Sequence, residues 1–167
     1  MRLFLDFDPK KCAACGACAV ACMDQNDVDL QAQEPFRQVY CVESRPNGTA
    51  FFQNFSISCM HCADAPCVLA CPTGCIYKDP VTGLTRYDNT KCIGCHSCAM
   101  ACPFGAPSFD SRGKMVKCDG CAVRLEQGML PACVKGCPFG AISILTEEEY
   151  RTKKREESLK RFSEEIL

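Results

Sequence analysis

Residues 91–103 read Lys91-Cys92-Ile93-Gly94-Cys95-His96-Ser97-Cys98-Ala99-Met100-Ala101-Cys102-Pro103. Three cysteines stand two residues apart, a fourth follows after three more, and a proline comes next. The pattern recurs along the chain. Upstream lie Cys12-x2-Cys15-x2-Cys18-x3-Cys22 and Cys59-x2-Cys62-x4-Cys67-x3-Cys71-Pro72; downstream lies Cys118-x2-Cys121-x11-Cys133-x3-Cys137-Pro138. Each of the four groups has four cysteines and ends in x3-Cys, and proline follows in three of them. Internal repetition of this kind is the first guide to a fold.

Cysteine dominates the composition as well. Eighteen in 167 residues is about 11%, above the level that marks a disulfide scaffold. Three chemistries compete for them: disulfides, zinc and iron–sulfur clusters. Disulfides need an oxidising compartment, and Met1-Arg2-Leu3-Phe4-Leu5-Asp6-Phe7-Asp8 carries no apolar signal region or cleavage site. Reduced, metal-binding thiols are therefore the expectation. Zinc takes four thiolates from paired C-x2-C groups, but it rarely needs a triple C-x2-C-x2-C run, and no histidine falls in register with the sixteen. The formal charge of −1 gives no reason to expect nucleic acid or an anionic membrane surface as a partner. No stretch approaches the roughly 18 apolar residues of a membrane span.

The spacing is that of bacterial ferredoxins, strict in groups one and three and with a widened middle gap in groups two and four. It has a physical reason. A C-x2-C-x2-C loop wraps three corners of a cubane while its amide N–H groups point at the sulfurs. The fourth cysteine is expected on the helix that begins at the third, beyond reach of that cubane, so it ligates a neighbouring one. The proline after it ends the helix.

The four groups must then pair. Ile76 to Lys91, a hairpin around Asp79-Pro80-Val81-Thr82-Gly83, joins groups two and three into one half, and groups one and four pair through the chain ends around it. Under that pairing one cluster takes Cys12, Cys15, Cys18 and Cys137, and a second takes Cys59, Cys62, Cys67 and Cys102. A third takes Cys92, Cys95, Cys98 and Cys71, and a fourth Cys118, Cys121, Cys133 and Cys22. On spacing alone a sequential pairing, one with two and three with four, stays open. Cys18 and Cys22 sit one helical turn apart, about 6 Å along the axis, so paired clusters are near neighbours and four of them make a wire. Bound clusters add negative charge that the sequence count hides. Lys91, Lys114, Lys117 and Lys135 stand beside ligands, where they either raise local potentials or serve as ordinary surface lysines.

Two cysteines fall outside the pattern. Cys75 takes the place that Ala141 holds after Cys137-Pro138-Phe139-Gly140, and reads as a small buried residue. Cys41, in Val39-Tyr40-Cys41-Val42, reads as a packed thiol on a strand. His61 and His96 sit inside cluster loops and are expected to touch clusters without ligating them. Residues 38–58 read as a hairpin about Arg45-Pro46-Asn47-Gly48. From Thr146-Glu147-Glu148-Glu149, a capping box, a helix runs to Leu167 with 13 of its 22 residues charged. Leu159, Phe162 and Ile166 make an apolar stripe at helical spacing. It is expected to pack back on the domain, with docking to a partner or a further copy as the alternative.

Three stretches carry a family resemblance: Cys59-Met60-His61-Cys62 with Ala65-Pro66-Cys67; Lys91-Cys92-Ile93-Gly94-Cys95 running to Ala101-Cys102-Pro103-Phe104-Gly105; and Lys117-Cys118-Asp119-Gly120-Cys121 with Pro131-Ala132-Cys133 and Gly136-Cys137-Pro138. Over nearly its whole length the chain resembles the four-cluster ferredoxin-like subunits of molybdenum and tungsten oxidoreductases. These include the beta subunits of dimethyl sulfoxide reductase, polysulfide reductase and formate dehydrogenase, and the small electron-transfer subunit of formate hydrogenlyase. The resemblance implies the outer and inner pairing and a partner holding a pterin-bound Mo or W centre. Group three keeps all four cysteines, so a [3Fe–4S] site is not expected. A C-terminal membrane helix and the large insertions of some relatives are not expected.

The expected fold is α+β: two bacterial-ferredoxin-like modules in tandem, related by a pseudo-two-fold, with short hairpins and helices around four cubane clusters, plus a C-terminal helix. Residues 1–28 and 111–145 form the outer module, 29–58 a hairpin insertion, 59–110 the inner module and 146–167 the helix. The expected function is not enzymatic. The chain relays single electrons through four [4Fe–4S] clusters between a Mo/W-pterin catalytic subunit and a second redox subunit, a hydrogenase or flavoprotein. A formate dehydrogenase or CO2 reductase is the favoured partner type, an aldehyde oxidoreductase the second choice. A free polyferredoxin and a filament-forming conductive scaffold of further copies are the alternatives. No phosphate loop, nucleotide fingerprint or Ser/His/Asp set points to an independent enzyme. The expected location is cytoplasmic, with export beside a signal-bearing partner as the alternative. With 14 aromatics and no tryptophan, metal binding is expected to supply much of the folding energy.

Overall fold

The computed structural model describes residues 1–31 and 33–166, the side chains of Pro46, Glu165 and Ile166 excepted. Cysteine loops leave little room between them, so every element except the last is short. In chain order these are β1 (Leu3–Phe7), α1 (Ala17–Gln25), β2 (Gln38–Ser44), β3 (Phe51–Ile57), α2 (Pro66–Leu69), β4 (Ile76–Lys78) and β5 (Thr85–Tyr87). There follow α3 (Ser97–Ala101), β6 (Ser108–Phe109), β7 (Met115–Val116), α4 (Ala122–Glu126), α5 (Ala132–Lys135), β8 (Ile142–Thr146) and α6 (Glu147–Ile166). The architecture is α+β, as expected. The described strands pair into four antiparallel two-stranded sheets: β1 with β8, β2 with β3, β4 with β5 and β6 with β7. The first joins the chain ends, setting Leu3 opposite Thr146 and Phe7 opposite Ile142.

Turn chemistry places the hairpins. Between β2 and β3 the chain reverses at Asn47 (φ 54°) and Gly48 (φ 81°), a left-handed pair that asparagine and glycine tolerate. Between β4 and β5 the Asp79 carboxylate accepts the N–H groups of Val81 (2.8 Å) and Thr82 (2.9 Å) and pairs with Arg86 at 2.8 Å. Burial works to raise the Asp79 carboxyl, but those N–H groups and Arg86 outweigh it and hold the group below its ordinary value.

The hairpin β6–β7 carries Met115, which is 1% exposed and packs with Cys75, Ile76, Cys92 and Cys98. Two expectations need correction. The fourth cysteine of a group lies on its helix only in group one, where α1 continues through Cys22 to Gln25. The other helices stop at Leu69, Ala101 and Lys135, short of Cys71, Cys102 and Cys137. The residue before a proline is driven out of the helical region, and Cys102 accordingly has φ −82° and ψ 115°. Cys41 is exposed rather than packed, because the distal part of the hairpin stands off the body.

The buried side chains form two small groups in which cysteine takes the place of large aliphatics. One gathers Ala65, Cys67, Cys75, Ile76, Cys92, Cys98 and Met115; the other Cys18, Cys133 and Ile142, flanked by Phe7, Val39 and Val134. Helix α6 starts on the expected capping box: the Thr146 N–H donates to Glu149 Oε2 (2.8 Å) and the Glu149 N–H to Thr146 Oγ1 (3.3 Å). Its base is held by Tyr150 stacked on Phe4 at 4.8 Å and by Lys153 paired with Asp6. Beyond that it projects. Leu159 and Phe162 are 64% and 62% exposed, so these two do not pack back on the domain. The side chain of Ile166 and the helix end at Leu167 lie outside the described residues. No described helix is long and apolar enough to cross a membrane.

Candidate iron–sulfur centres

The cysteine loops share one backbone device. In every group the residue before the second cysteine is left-handed: Ala14 (φ 52°), His61 (46°), Gly94 (70°) and Gly120 (79°). For the two that are not glycine this costs about 1 kcal/mol, and it turns the loop amides inward. The N–H of Gly94 reaches Cys92 Sγ, and that of Gly120 reaches Cys118 Sγ, each at 3.4 Å. A second device follows the fourth cysteine. The Pro-x-Gly turns bring the N–H of Ala106 to Cys102 Sγ (3.4 Å) and that of Ala141 to Cys137 Sγ (3.3 Å). Burial works to raise the Cys137 thiol, yet the amides of Ala141, Ile142, Phe139 and Gly140 outweigh it and lower the group. Group one has no such turn. There the Asn26 side chain donates to the Cys22 carbonyl (2.7 Å) and lies 3.7 Å from its sulfur. Asn26 sits four residues after Cys22, the offset of Ala106 from Cys102, and that offset was the one sequence signal for it.

Two groups of thiols line cavities. One cavity is lined by Cys12, Cys15, Cys18 and Cys137, with Val39, Ser56 and Ile142 on its wall. The other is lined by Cys71, Cys92, Cys95 and Cys98, with Cys75, Phe109 and Met115. His96 stacks on Phe109 at 3.7 Å, and Cys75 is buried, the small interior residue expected. Cys15 and Cys95, the middle cysteines of the strict loops, are exposed.

The other eight cysteines include the buried Cys22, Cys59, Cys67, Cys121 and Cys133. Cys67 is raised by burial and feels the charges of Cys59 and Cys102. Cys22 is pushed up to about 12, first by burial and then by Cys133 and Cys121. Burial raises Cys118 as well, followed by the charge of Cys59. Thiols so placed lose their protons only to a metal, so loading releases protons. The contact between α1 and α5 that sets Cys22 beside Cys133 requires glycine at 136, where a Cβ would stand 2.9 Å from Ala21 Cβ. Lys78 braces group two by donating to the Cys62 carbonyl at 2.7 Å. His61 is buried, and burial together with Lys117 and Lys78 pushes it down to about 3, so it stays neutral.

Of the four lysines noted beside ligands, two face the loops. Lys114 donates to the Cys92 carbonyl, and Lys117 is 1% exposed. Lys91 is a surface partner of Asp88 at 3.4 Å, and Lys135 is exposed. The hairpin residues were not foreseen as site residues. Ser56 Oγ lies 3.2 Å from Cys18 Sγ, and Asn54 donates to the Cys12 carbonyl at 2.7 Å. Buried Arg37 donates to Ser56 Oγ (2.9 Å) and Ser58 Oγ (2.8 Å). A lone arginine or serine on a strand carries no pattern that would have marked it.

The donor set fits iron–sulfur clusters. All eighteen cysteines are free, their loops aim amides at sulfur, and the thiols stand around spaces. Residues 50–147 match the 4Fe-4S dicluster domain. The chain is 38% identical over 157 residues to the B subunit of the anaerobic dimethyl sulfoxide reductase of Haemophilus influenzae, covering 88% of this chain and 75% of that one. It is 41% identical over 139 residues to the thiosulfate reductase electron transfer subunit PhsB of Salmonella typhi (82% and 72% covered). With the hydrogenase-2 operon protein HybA of Escherichia coli O157:H7 it shares 34% over 171 residues (86% and 51% covered). The chain's cofactors are four [4Fe–4S] clusters, and the chain belongs to the 4Fe-4S dicluster family.

Proposed function

We propose that the chain is the non-catalytic electron-transfer subunit of a molybdenum- or tungsten-pterin oxidoreductase complex, carrying single electrons between the catalytic subunit and a second redox subunit. The observation that carries this reading is the cavity where Cys137 joins Cys12, Cys15 and Cys18. A fourth thiol supplied by a distant group is what pairing groups one and four requires. Groups two and three then pair likewise, sharing Cys71 and Cys102. The result is two ferredoxin-like modules in pseudo-two-fold relation, 1–28 with 117–145 and 59–116, the hairpin of 29–58 lying against the first. The sixteen ligands are those of the outer and inner pairing given above.

Each cluster, when bound, takes up and releases one electron. The chain's own residues bury Cys59, Cys67, Cys121 and Cys133, aim amides at sulfur and leave the loops of Cys15 and Cys95 open for partners. Ile93 (65% exposed) lines the same cavity as Cys95, and Leu69 (84%), Met100 (80%) and Val20 (60%) stand exposed on α2, α3 and α1. The accessible surface of 10382 Å² exceeds the roughly 8,100 Å² usual for a lone 18.3 kDa protein. Both observations favour a subunit over a freely diffusing carrier. The relatives bear the names of sulfoxide and thiosulfate reductases and a hydrogenase operon, so a reductase or hydrogen-linked complex is proposed first and a formate-linked one second. The proposed location is cytoplasmic, or wherever a signal-bearing partner takes the chain.

The test is anaerobic purification with native partners, followed by iron and sulfide analysis and EPR of the reduced complex. About sixteen irons per chain, interacting [4Fe–4S] signals and a co-purifying pterin enzyme are expected. Zinc in place of iron overturns the reading; full iron loading on a monomer that captures no partner returns it to a free carrier.

A further inference from the structure

Lys117 is the largest fully buried side chain among the described residues. Its Nζ meets only acceptors: the Thr85 carbonyl at 2.5 Å, the Cys118 carbonyl at 2.8 Å, Cys59 Sγ at 3.9 Å and the face of the Tyr87 ring at 5.7 Å. Three acceptors for three N–H bonds describe an ammonium. No described carboxylate lies within ion-pair distance of it. A buried, unpaired cation is among the costliest features a fold can hold, so its counter-charge must come from what the neighbouring thiols bind.

The surroundings are reciprocal. Lys117, of the group-four loop, touches the sulfur of Cys59 in group two. His61, of the group-two loop, lies with Nε2 3.6 Å from the sulfur of Cys118 in group four. The Thr85 N–H donates to His61 Nδ1 at 3.0 Å, which leaves the imidazole proton on Nε2, facing that sulfur. Thr85, 1% exposed, therefore holds both side chains, one by its carbonyl and one by its N–H. Gly120 lets the loops close on each other: a Cβ there would stand 2.6 Å from Leu84 Cδ1 and 3.6 Å from His61 Cε1. The two outlying cavities are lined by no lysine or arginine.

We propose that Lys117 is the positioning and charge residue of the junction between the two cluster pairs, where its ammonium serves the clusters of the Cys59 and Cys118 groups together and raises the reduction potential of both. This rests on the ligand sets proposed above. Each cluster adds one negative charge on taking up an electron, and a fixed positive charge between them stabilises that state. The outlying pair gains nothing from it.

The test compares Lys117→Gln, Lys117→Met and Lys117→Arg in the intact complex by iron content and EPR-monitored redox titration. With iron retained, both neutral variants should lower two of the four midpoint potentials, each by at least the about 59 mV of a tenfold one-electron change. The other two should stay unmoved, and Lys117→Arg should keep all four. Should the neutral variants fail to load iron while Lys117→Arg loads it, the charge requirement stands. Unchanged potentials at full iron content, an equal shift of all four, or failure of all three variants to load would overturn the proposal. Wild-type protein lacking its complement of iron would instead overturn the wire reading itself.

Discussion

The middle cysteines of the strictly spaced loops, Cys15 and Cys95, are exposed, whereas Cys59, Cys67, Cys121 and Cys133 of the two widened loops are buried. Each strict loop lines a cavity with one thiol from a widened group, Cys137 or Cys71, and no lysine or arginine lines those cavities. The widened loops instead admit each other: His61 lies against Cys118, and Lys117 against Cys59. Their extra residues have structural work. In group two Pro66 opens α2. In group four the long gap holds α4, whose Arg124 donates to the Leu130 carbonyl at 2.7 Å and to Gln25 at the end of α1 at 3.0 Å. Strict spacing leaves a site accessible at its second cysteine; widened spacing makes two loops that interlock.

The largest effect that can break this comparison is removal of iron. The two buried groups are built largely from cysteines, so the metal-free chain should show no cooperative thermal transition by calorimetry. A limiting dose of chelator should empty the exposed sites first, read by EPR. Loss of all four clusters in parallel would erase the distinction between ends and centre.

Cysteine replacement comes next. Cys118→Ser should cost more bound iron and more thermal stability than Cys95→Ser, because its sulfur faces the neighbouring loop through His61. Cys41→Ser, at an exposed position, should change neither. Equal losses at 95 and 118 would mean that the loops do not interlock.

Glycine substitution sharpens the contrast further. Gly120→Ala meets both a left-handed φ of 79° and Leu84 at 2.6 Å, and should destabilise the loaded protein by about 2–4 kcal/mol. Gly16→Ala, with φ 78° and open space around it, should cost only the backbone strain of about 1–2 kcal/mol. Denaturant midpoints of the two variants decide the matter, and a milder Gly120→Ala would count against the tight contact between loops.

The smallest effect lies outside both regions, in α6. Hydrogen bonds from Thr146 hold the Glu149 carboxyl below its ordinary 4.5. A depressed carboxyl lends stability that is present above that value and lost as pH falls through the lowered one. Helicity of α6 should therefore decline at acid pH, and Glu149→Ala should show that lower helicity already at neutral pH by circular dichroism. The variant should leave the cluster spectra unmoved.

Much of this was legible in the chain. The hairpins at 38–58 and 76–91 followed from their turn residues, the start of α6 from its capping box, and the four groups of thiols from their spacing. Each of these is a short-range matter. The helix ends were misjudged because the proline after the fourth cysteine acts one residue earlier than assumed, on the cysteine itself. Strands β6 and β7, two residues each, were too short to show any alternation. The exposed Leu159 and Phe162 show a stripe whose spacing said helix but could not say what covers it.

The sequence by itself determined the chemistry: sixteen thiols in four groups, three of each within one loop or its neighbour. Covalent connection and the allowed backbone angles decide what so short a segment can hold. Only the tertiary structure decided which loops touch, that Ser56 stands at Cys18, and that Lys117 is buried between Cys59 and Cys118. Those contacts join residues 38 and 58 positions apart. No local preference encodes them, and they exist only once β1 has met β8 and β4 has met β5 to bring the loops together.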